Sequence, residues 1–328
     1  MERPRNIGIV GAGGISQLHL EGIARHSNHV HVVAVCDPSE PVRDARAAAA
    51  GIPSKFADVR SMINAGPLDA AIVCTPTSVR EQVILPLLDA GIPVLCEKPF
   101  SETYEEASRI TRASQAAGVP IAIDQNFRRH FGFSLARDRL AAGSLGKPLH
   151  LVQVSNHLRR DTGWRIERRR YVMAVMSIHW FDGYRFMLQD EPESIYCCGV
   201  NSPATLGGPD TAISATLTFR SGAVASLNES FSSFTRMGGC TLDCENGGLS
   251  IGYERVEEFI PGSDPVLHPN PFDKAEATYW TLEDLLNAAA EGREPETGAA
   301  DNLKSMQILE AAYRSLSDNR VVNMEEIR

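Results

Sequence analysis

Three glycines in Gly11-Ala12-Gly13-Gly14-Ile15-Ser16 stand where an apolar run, Ile7-Gly8-Ile9-Val10, gives way to helical spacing. Glycines at such a junction let the backbone approach a pyrophosphate, and the first turn of the helix supplies aligned N–H donors. A Gly-rich turn without a ligand is the plainer reading; the position at the first strand end favours the phosphate site. The usual third glycine is replaced by Ser16, which is small enough for close packing. Asp37 ends the next apolar run and lies 24 residues after Gly13. An acid about 20 residues on accepts from the adenosine ribose diol and repels a 2′-phosphate. No arginine directly follows it, the nearest being Arg43. The pair therefore reads as a dinucleotide site that favours NAD over NADP. The alternative for Asp37 is a cap on the following helix.

Two further strand ends carry polar chemistry, Cys74-Thr75-Pro76-Thr77 and Cys96-Glu97-Lys98-Pro99-Phe100. The Glu97-Lys98 pair is either a surface salt bridge of little worth or a lysine aimed into a cleft to donate to substrate hydroxyls. His179 lies in Met176-Ser177-Ile178-His179-Trp180-Phe181-Asp182. On a helix Asp182 shares its face. A satisfied core histidine and a general acid/base are both open for it. Arg165, Arg168, Arg169 and Arg170 form a short basic run after Trp164, read as a solvated face or an anion contact. The seven cysteines show no zinc spacing: Cys240 and Cys244 lack a second pair, and Cys197 and Cys198 are adjacent. All seven are read as reduced thiols of a cytoplasmic protein, with no metal site.

The elements that must position these groups follow from periodicity. Apolar runs at 7–10, 30–36, 70–74, 94–96 and 121–123 do not alternate, the mark of parallel strands covered on both faces. Helical patterns at 16–25, 43–50, 78–90 and 104–117 lie between them, three closed by Gly51, Gly91 and Gly118. Strand and helix in this alternation give a doubly wound parallel sheet. Beyond Asn126 the rhythm changes. Helical stretches at 131–142 and 171–188 accompany strand-like runs at 149–155, 194–200, 212–219, 223–231, 240–243 and 249–253, with closing helices at 279–290 and 302–316. The fold class is therefore α/β. Residues 1–125 form a Rossmann doubly wound parallel sheet, and 126–328 an α+β domain on a largely antiparallel open sheet. Ser202 to Pro209 reads as a loop.

The chain has 328 residues, enough for two domains. Hydrophobic residues make up 43% and charged residues 22%, ordinary for a globular protein. A net charge of −9 argues against a nucleic-acid partner. No apolar run reaches the roughly 18 residues of a membrane span, and no signal peptide is read at the N-terminus.

Taken together these residues resemble the Gfo/Idh/MocA family of nicotinamide-dependent oxidoreductases, along the whole chain. The glycine cluster, Asp37, Cys74-Thr75-Pro76, Glu97-Lys98-Pro99, Gln125-Asn126-Phe127-Arg128, Trp164-Arg165, the His179 to Asp182 segment and Gly292-Arg293-Glu294-Pro295 carry the likeness, Glu-Lys-Pro most specifically. The resemblance implies a Rossmann domain and a substrate domain whose open sheet often forms a dimer interface, giving a homodimer or homotetramer. It implies hydride exchange between NAD, or less readily NADP, and a sugar, inositol or related polyol. By position, Lys98 would bind and orient the reacting hydroxyl, and His179 would be the general acid/base. Thr75, Pro76, Glu97, Asn126, Trp164 and Arg165 would line the cofactor beside Gly11, Gly13, Gly14, Ile15 and Asp37.

Three departures stand out. Val175 occupies the place of the family's aspartate four residues before the histidine, Arg168-Arg169-Arg170-Tyr171 stands where glycines are usual, and Arg80 replaces a frequent histidine. A positioned acid or base is worth about 10²–10⁴ in rate, so Glu167, Asp124 and Tyr171 are candidates to compensate. Two other readings remain open: a relative that retains NAD for glycoside chemistry without net redox, and a cofactor-binding regulator without activity.

Overall fold

The computed structural model describes residues 3–161, 170–202 and 210–328. Trp164, Arg165, Glu167 and most of the Ser202–Pro209 loop lie outside the described residues. The chain divides into two compact units, Met1–Asn126 with Asp273–Leu303, and Phe127–Phe272 with Lys304–Arg328.

In the first unit the elements run β1 (Arg5–Val10), α1 (Gly14–Arg25), β2 (Val30–Cys36), α2 (Glu40–Ala50), β3 (Ser54–Phe56), α3 (Val59–Asn64), β4 (Ala70–Val73), α4 (Arg80–Asp89), β5 (Val94–Cys96), α5 (Tyr104–Ala117) and β6 (Ile121–Ile123). All strand pairs are parallel, in the order β3-β2-β1-β4-β5-β6. That is the doubly wound order whose ligands bind at the carboxyl ends of the strands. Every residue of β4, β5 and β6 is buried, which explains their unbroken apolar runs. β3 and α3 are additions to the sequence reading. Each is short, three and six residues, and only Met62 of the two is buried, so neither shows a period.

The helix Lys274–Glu291 belongs to this unit, although the periodicity placed it with the second domain. Its Tyr279, Leu282, Leu285 and Leu286 join Ile7, Ile9, Ile23, Ile72 and Leu95 in one buried cluster. At the crossing with α1 a Cβ on Gly22 would stand 2.4 Å from the Ala275 carbonyl oxygen, so only glycine admits this approach. Helical spacing reveals an apolar face but not what will cover it.

The second unit contains α6 (Phe131–Ala141), β7 (Pro148–Leu158), α7 (Ile178–Leu188), β8 (Pro192–Val200), β9 (Ala212–Phe219), β10 (Val224–Ser230), β11 (Ser232–Cys244), β12 (Gly247–Ile251), β13 (Arg255–Phe259) and β14 (Val266–Pro269). α8 is the Lys274–Glu291 helix already placed in the first unit. α9 (Ala299–Asp318) and β15 (Val322–Asn323) complete the chain. Nine strands pair in the order β14-β13-β12-β11-β7-β10-β9-β8-β15. Only β7 and β10 run parallel; the other pairs are antiparallel. β9 alternates buried and exposed residues, as expected of a sheet with one covered face. β11 extends far beyond the expected 240–243, and its register against β7 shifts between Ser232 and Met237. β13 and β14 were not visible in the sequence, since Glu257 and Glu258 sit in the middle of one and the other is four residues long.

Candidate functional site

The first unit gathers its candidate residues at the carboxyl edge of its sheet. β1 delivers the chain into Gly11, whose φ is +96° and whose Cβ would lie 2.8 Å from the Cys74 carbonyl carbon. No side chain fits there. Gly13 caps α1 without a side-chain acceptor, and a Cβ on Gly13 or Gly14 would meet nothing within 4 Å. The space beside the first turn of this twelve-residue helix is thus open, as a pyrophosphate contact requires. Ser16 is fully buried and donates to the Gly13 carbonyl at 2.7 Å, filling the place of the third glycine.

Asp37 follows β2. One carboxylate oxygen accepts from Ala12 N and the other from Ser39 N, both at 2.9 Å. It therefore ties the glycine loop to the entry of α2. Two arginines from α2 return to the same place. Arg43 donates to the Asp37 carbonyl at 2.9 Å, and Arg46 to the carbonyls of Ala12 and Gly13 at 3.3 and 3.2 Å. Sequence proximity pointed to Arg43 alone.

At the ends of β4 and β6 lie buried polar atoms without a hydrogen-bond partner among the described residues: Thr75 Oγ1, Asp124 Oδ1 and Asn126 Oδ1. Buried polar atoms are ordinarily hydrogen-bonded, so these are suited to a ligand. Asn126 is fixed by donating to Thr278 Oγ1 at 2.8 Å, which in turn donates to Asp124 at 3.1 Å. Pro76 extends the Thr75 loop into a short turn at Thr77–Val79.

Glu97 is not a surface charge. It is 4% exposed and hydrogen-bonds at 2.9 Å to His19 of α1, itself 2% exposed. Burial works against the Glu97 charge, but His19, with Lys98 and Arg80, outweighs it and holds the carboxyl down at about 2. Burial likewise opposes the charge on His19; Cys74 and Glu97 outweigh it and hold the imidazole well above its usual range. Asp124 lies in the same cluster, and burial, helped by the Glu97 charge, pushes it up to about 6. Lys98 is half-buried and joined to Pro99 by a cis peptide bond.

The second unit positions His179. A π-helical turn at Met173–Ser177 leads into α7, and His179 is 2% exposed. Its ring lies against Phe127, which also meets Trp180 and Phe272 edge-on. Asp182, expected on the His179 face, is committed elsewhere. Both its oxygens take the Arg128 guanidinium at 2.7 Å, and Ser305 donates to it at 2.8 Å.

Two carboxylates that the sequence reading passed over shape this helix. Asp210 is fully buried and accepts from the Tyr171 and Met173 N–H groups at 2.7 and 3.0 Å and from the Tyr313 hydroxyl at 2.9 Å. It caps the helix start from a distant segment. Glu229 of β10 is buried and accepts from Ser177 and from the Trp180 indole, either side of His179 in the chain.

Comparison with known proteins now decides the family. Residues 5–125 match the NAD-binding Rossmann fold of the Gfo/Idh/MocA oxidoreductases, and residues 133–250 match that family's C-terminal domain. The chain belongs to the Gfo/Idh/MocA oxidoreductase family. It is 27% identical to the 1,5-anhydro-D-fructose reductase of Ensifer adhaerens over 97% of this chain and 98% of the relative. It is 26% identical to the D-apiose dehydrogenase of Paraburkholderia graminis over 97% and 89%. An oxidoreductase from Agrobacterium radiobacter, solved with NAD+, L-tartaric acid and magnesium, shares its fold with a TM-score of 0.87 over 99% of each chain, at 19% identity.

Val175 stands where the sequence reading expected an aspartate, and the structure places the residues named to compensate as follows. Tyr171 is fully buried and its hydroxyl donates to Asp161 at 2.8 Å. Asp124 is engaged in the His19 cluster of the first unit. Glu167 falls outside the described residues. Glu229, not among those candidates, is a buried carboxylate of this unit bonded to Ser177 and Trp180.

Proposed function

We propose that this family member transfers a hydride between NAD and a secondary hydroxyl or carbonyl of a sugar, inositol or related polyol. The observation that carries this reading is the set of unpartnered buried atoms on Thr75, Asp124 and Asn126, at the sheet edge where the uncapped α1 terminus and Lys98 also lie. The names of the relatives, among them an inositol 2-dehydrogenase of Saccharopolyspora erythraea that is 29% identical over 76% of this chain and 74% of its own, support the substrate class. NAD, when bound, accepts or supplies the hydride.

The residues act around that transfer. The α1 N-terminus and Gly11 to Gly14 hold the pyrophosphate, and Asp37 accepts from the ribose diol. Thr75 and Asn126 supply polar contacts to the cofactor, with Pro76, Ile15, Trp164 and Arg165 as further lining. Glu97 lines it beside the lysine segment, its carboxylate held by His19. Lys98 donates to the reacting oxygen and stabilises negative charge developing there. His179 takes or returns the proton. NAD is favoured over NADP because a carboxylate at Asp37 repels a 2′-phosphate. The protein acts in the cytoplasm as a homodimer or homotetramer through the exposed face of its nine-stranded sheet, which light scattering would read directly. Among the described residues no helix is long and apolar enough to cross a membrane.

The test is NADH formation or consumption across a panel of inositols, aldoses and 1,5-anhydro-D-fructose, with NAD and NADP, for the wild type and Lys98→Ala. The variant should lose turnover while NADH affinity stays within a few-fold. A wild type inert on the whole panel with both cofactors would sink the redox reading; a fully active Lys98→Ala would sink the lysine's role alone.

A further inference from the structure

Arg80 is unexplained by the roles given so far. It is the first residue of α4, where the helix dipole disfavours a cation, and it is 4% exposed, where a charge is costly unless well partnered. Among the described residues its hydrogen bonds all end on main-chain carbonyls. Nε donates to the Thr75 carbonyl at 3.1 Å, and one terminal nitrogen donates to the carbonyls of both Glu97 and Pro99. Thr75 lies in the loop after β4. Glu97 and Pro99 lie after β5 and flank Lys98 on either side.

We propose that Arg80 is a positioning residue for Lys98, tying both carbonyls that bracket the lysine to the Thr75 loop and so fixing the backbone that carries its side chain. The inference rests on the role given to Lys98 above. A lysine has a flexible four-carbon stem, so its ammonium is only as well placed as the backbone beneath it. Displacement by about 1 Å from a reactive geometry can cost a hundredfold in rate. The Glu97 side chain is already held by His19; Arg80 holds the main chain on both sides of the next residue. The guanidinium suits this task, because it keeps its charge when buried and presents several donors in one rigid plane. A histidine in its place would offer at most two ring donors, and both only when protonated.

The experiment compares wild type, Arg80→Gln, Arg80→Lys and Lys98→Met. It measures turnover on the best substrate of the panel, NADH affinity by fluorescence, thermal midpoint, and amide hydrogen exchange of the peptide covering 96–101 without substrate. Arg80→Gln should lose about tenfold to a hundredfold in kcat, with NADH affinity within threefold and faster exchange in that peptide. Arg80→Lys, which folds with the charge in place, should recover part of the loss, and free guanidinium ion should restore part of the Arg80→Gln turnover. Wild-type kcat and exchange in Arg80→Gln, beside an inactive Lys98→Met, would overturn the clamp alone. Parallel losses of kcat, NADH affinity and thermal midpoint in Arg80→Lys would overturn it in favour of general loosening. An active Lys98→Met would overturn the reading on which it rests.

Discussion

The Phe127 ring lies flat on the His179 imidazole, with centroids 4.2 Å apart and planes inclined by 9°. The contact joins the short turn after Asn126 to the helix that carries the proposed acid/base. Phe127 is itself braced by Phe272 and Trp180, at 5.4 and 5.2 Å. With Asp182 held by Arg128, aromatic packing fixes one face of the His179 ring.

Phe127→Leu keeps apolar bulk but removes the flat surface. Stacked aromatic pairs contribute about 0.5–1.5 kcal/mol beyond burial, so the protein should remain folded with a slightly lower midpoint. If His179 is the acid/base, kcat should fall about tenfold, because a tilted imidazole meets the proton badly. Turnover at each pH and thermal unfolding check this together. A lowered midpoint with wild-type kcat would show that the stack serves packing alone.

Asp37→Ser should weaken NAD and improve NADP. The carboxylate that repels a 2′-phosphate disappears, while Arg43 and Arg46 remain beside the loop. A loss of one charged hydrogen bond is worth about 1.5–3 kcal/mol, so the NAD/NADP affinity ratio should fall by at least about tenfold. Titration of both reduced cofactors by fluorescence measures it. An unaltered ratio would mean that Asp37 serves only the loop, through Ala12 and Ser39.

The sequence made the Rossmann sheet legible because β4, β5 and β6 are buried on both faces and so are apolar without interruption. Gly11 was legible because a close backbone approach demands glycine at the end of β1, and Asp37 because an acid at the end of β2 stands out from the apolar run before it. The nine-stranded sheet was read only in part. Its one-sided strands alternate weakly, and the stretch between the strand-like runs 223–231 and 240–243 belongs to β11. Asp210 and Glu229 were invisible for another reason. A carboxylate that caps a helix from 37 or 39 residues away leaves no spacing signal, and neither does one that reaches Ser177 from a strand. Arg80 was noticed as a departure, but the carbonyls it binds carry no side-chain signature at all.

Asp210→Ala should be among the most destabilising changes in the second unit. It would leave the Tyr171 and Met173 N–H groups and the Tyr313 hydroxyl without their acceptor in a fully buried place. Burial favours the neutral acid and raises its pKa, while the two N–H bonds work the other way, so the hydrogen bonds rather than the charge are what the site needs. The cost should be roughly 2–4 kcal/mol, and Asp210→Asn, which keeps one acceptor, should lose less. Chemical denaturation of both variants gives the comparison. Equal stability of Asp210→Ala and wild type would remove the capping role.

Asp124 makes stability depend on pH in a direction opposite to its neighbour. Its carboxyl is pushed up to about 6 from 3.8, chiefly by burial and then by the Glu97 charge. Between those values the native chain keeps a proton that the unfolded chain releases. Stability therefore falls as pH rises through this window, and above it the cost of ionising Asp124 is fully present. Glu97, held down at about 2 from 4.5, behaves in the reverse sense, and its contribution is present above 4.5 and lost as pH falls. Asp124→Asn removes the first effect while keeping an oxygen to accept from Thr278. The variant should match or exceed the wild type at neutral pH, by an amount on the order of 3 kcal/mol at most, and the advantage should vanish near pH 4. Urea unfolding at successive pH values separates the two groups, because the low-pH loss belongs to Glu97 and survives the substitution. Parallel stability curves for variant and wild type from pH 4 to 7 would show that Asp124 does not hold its proton in the folded protein.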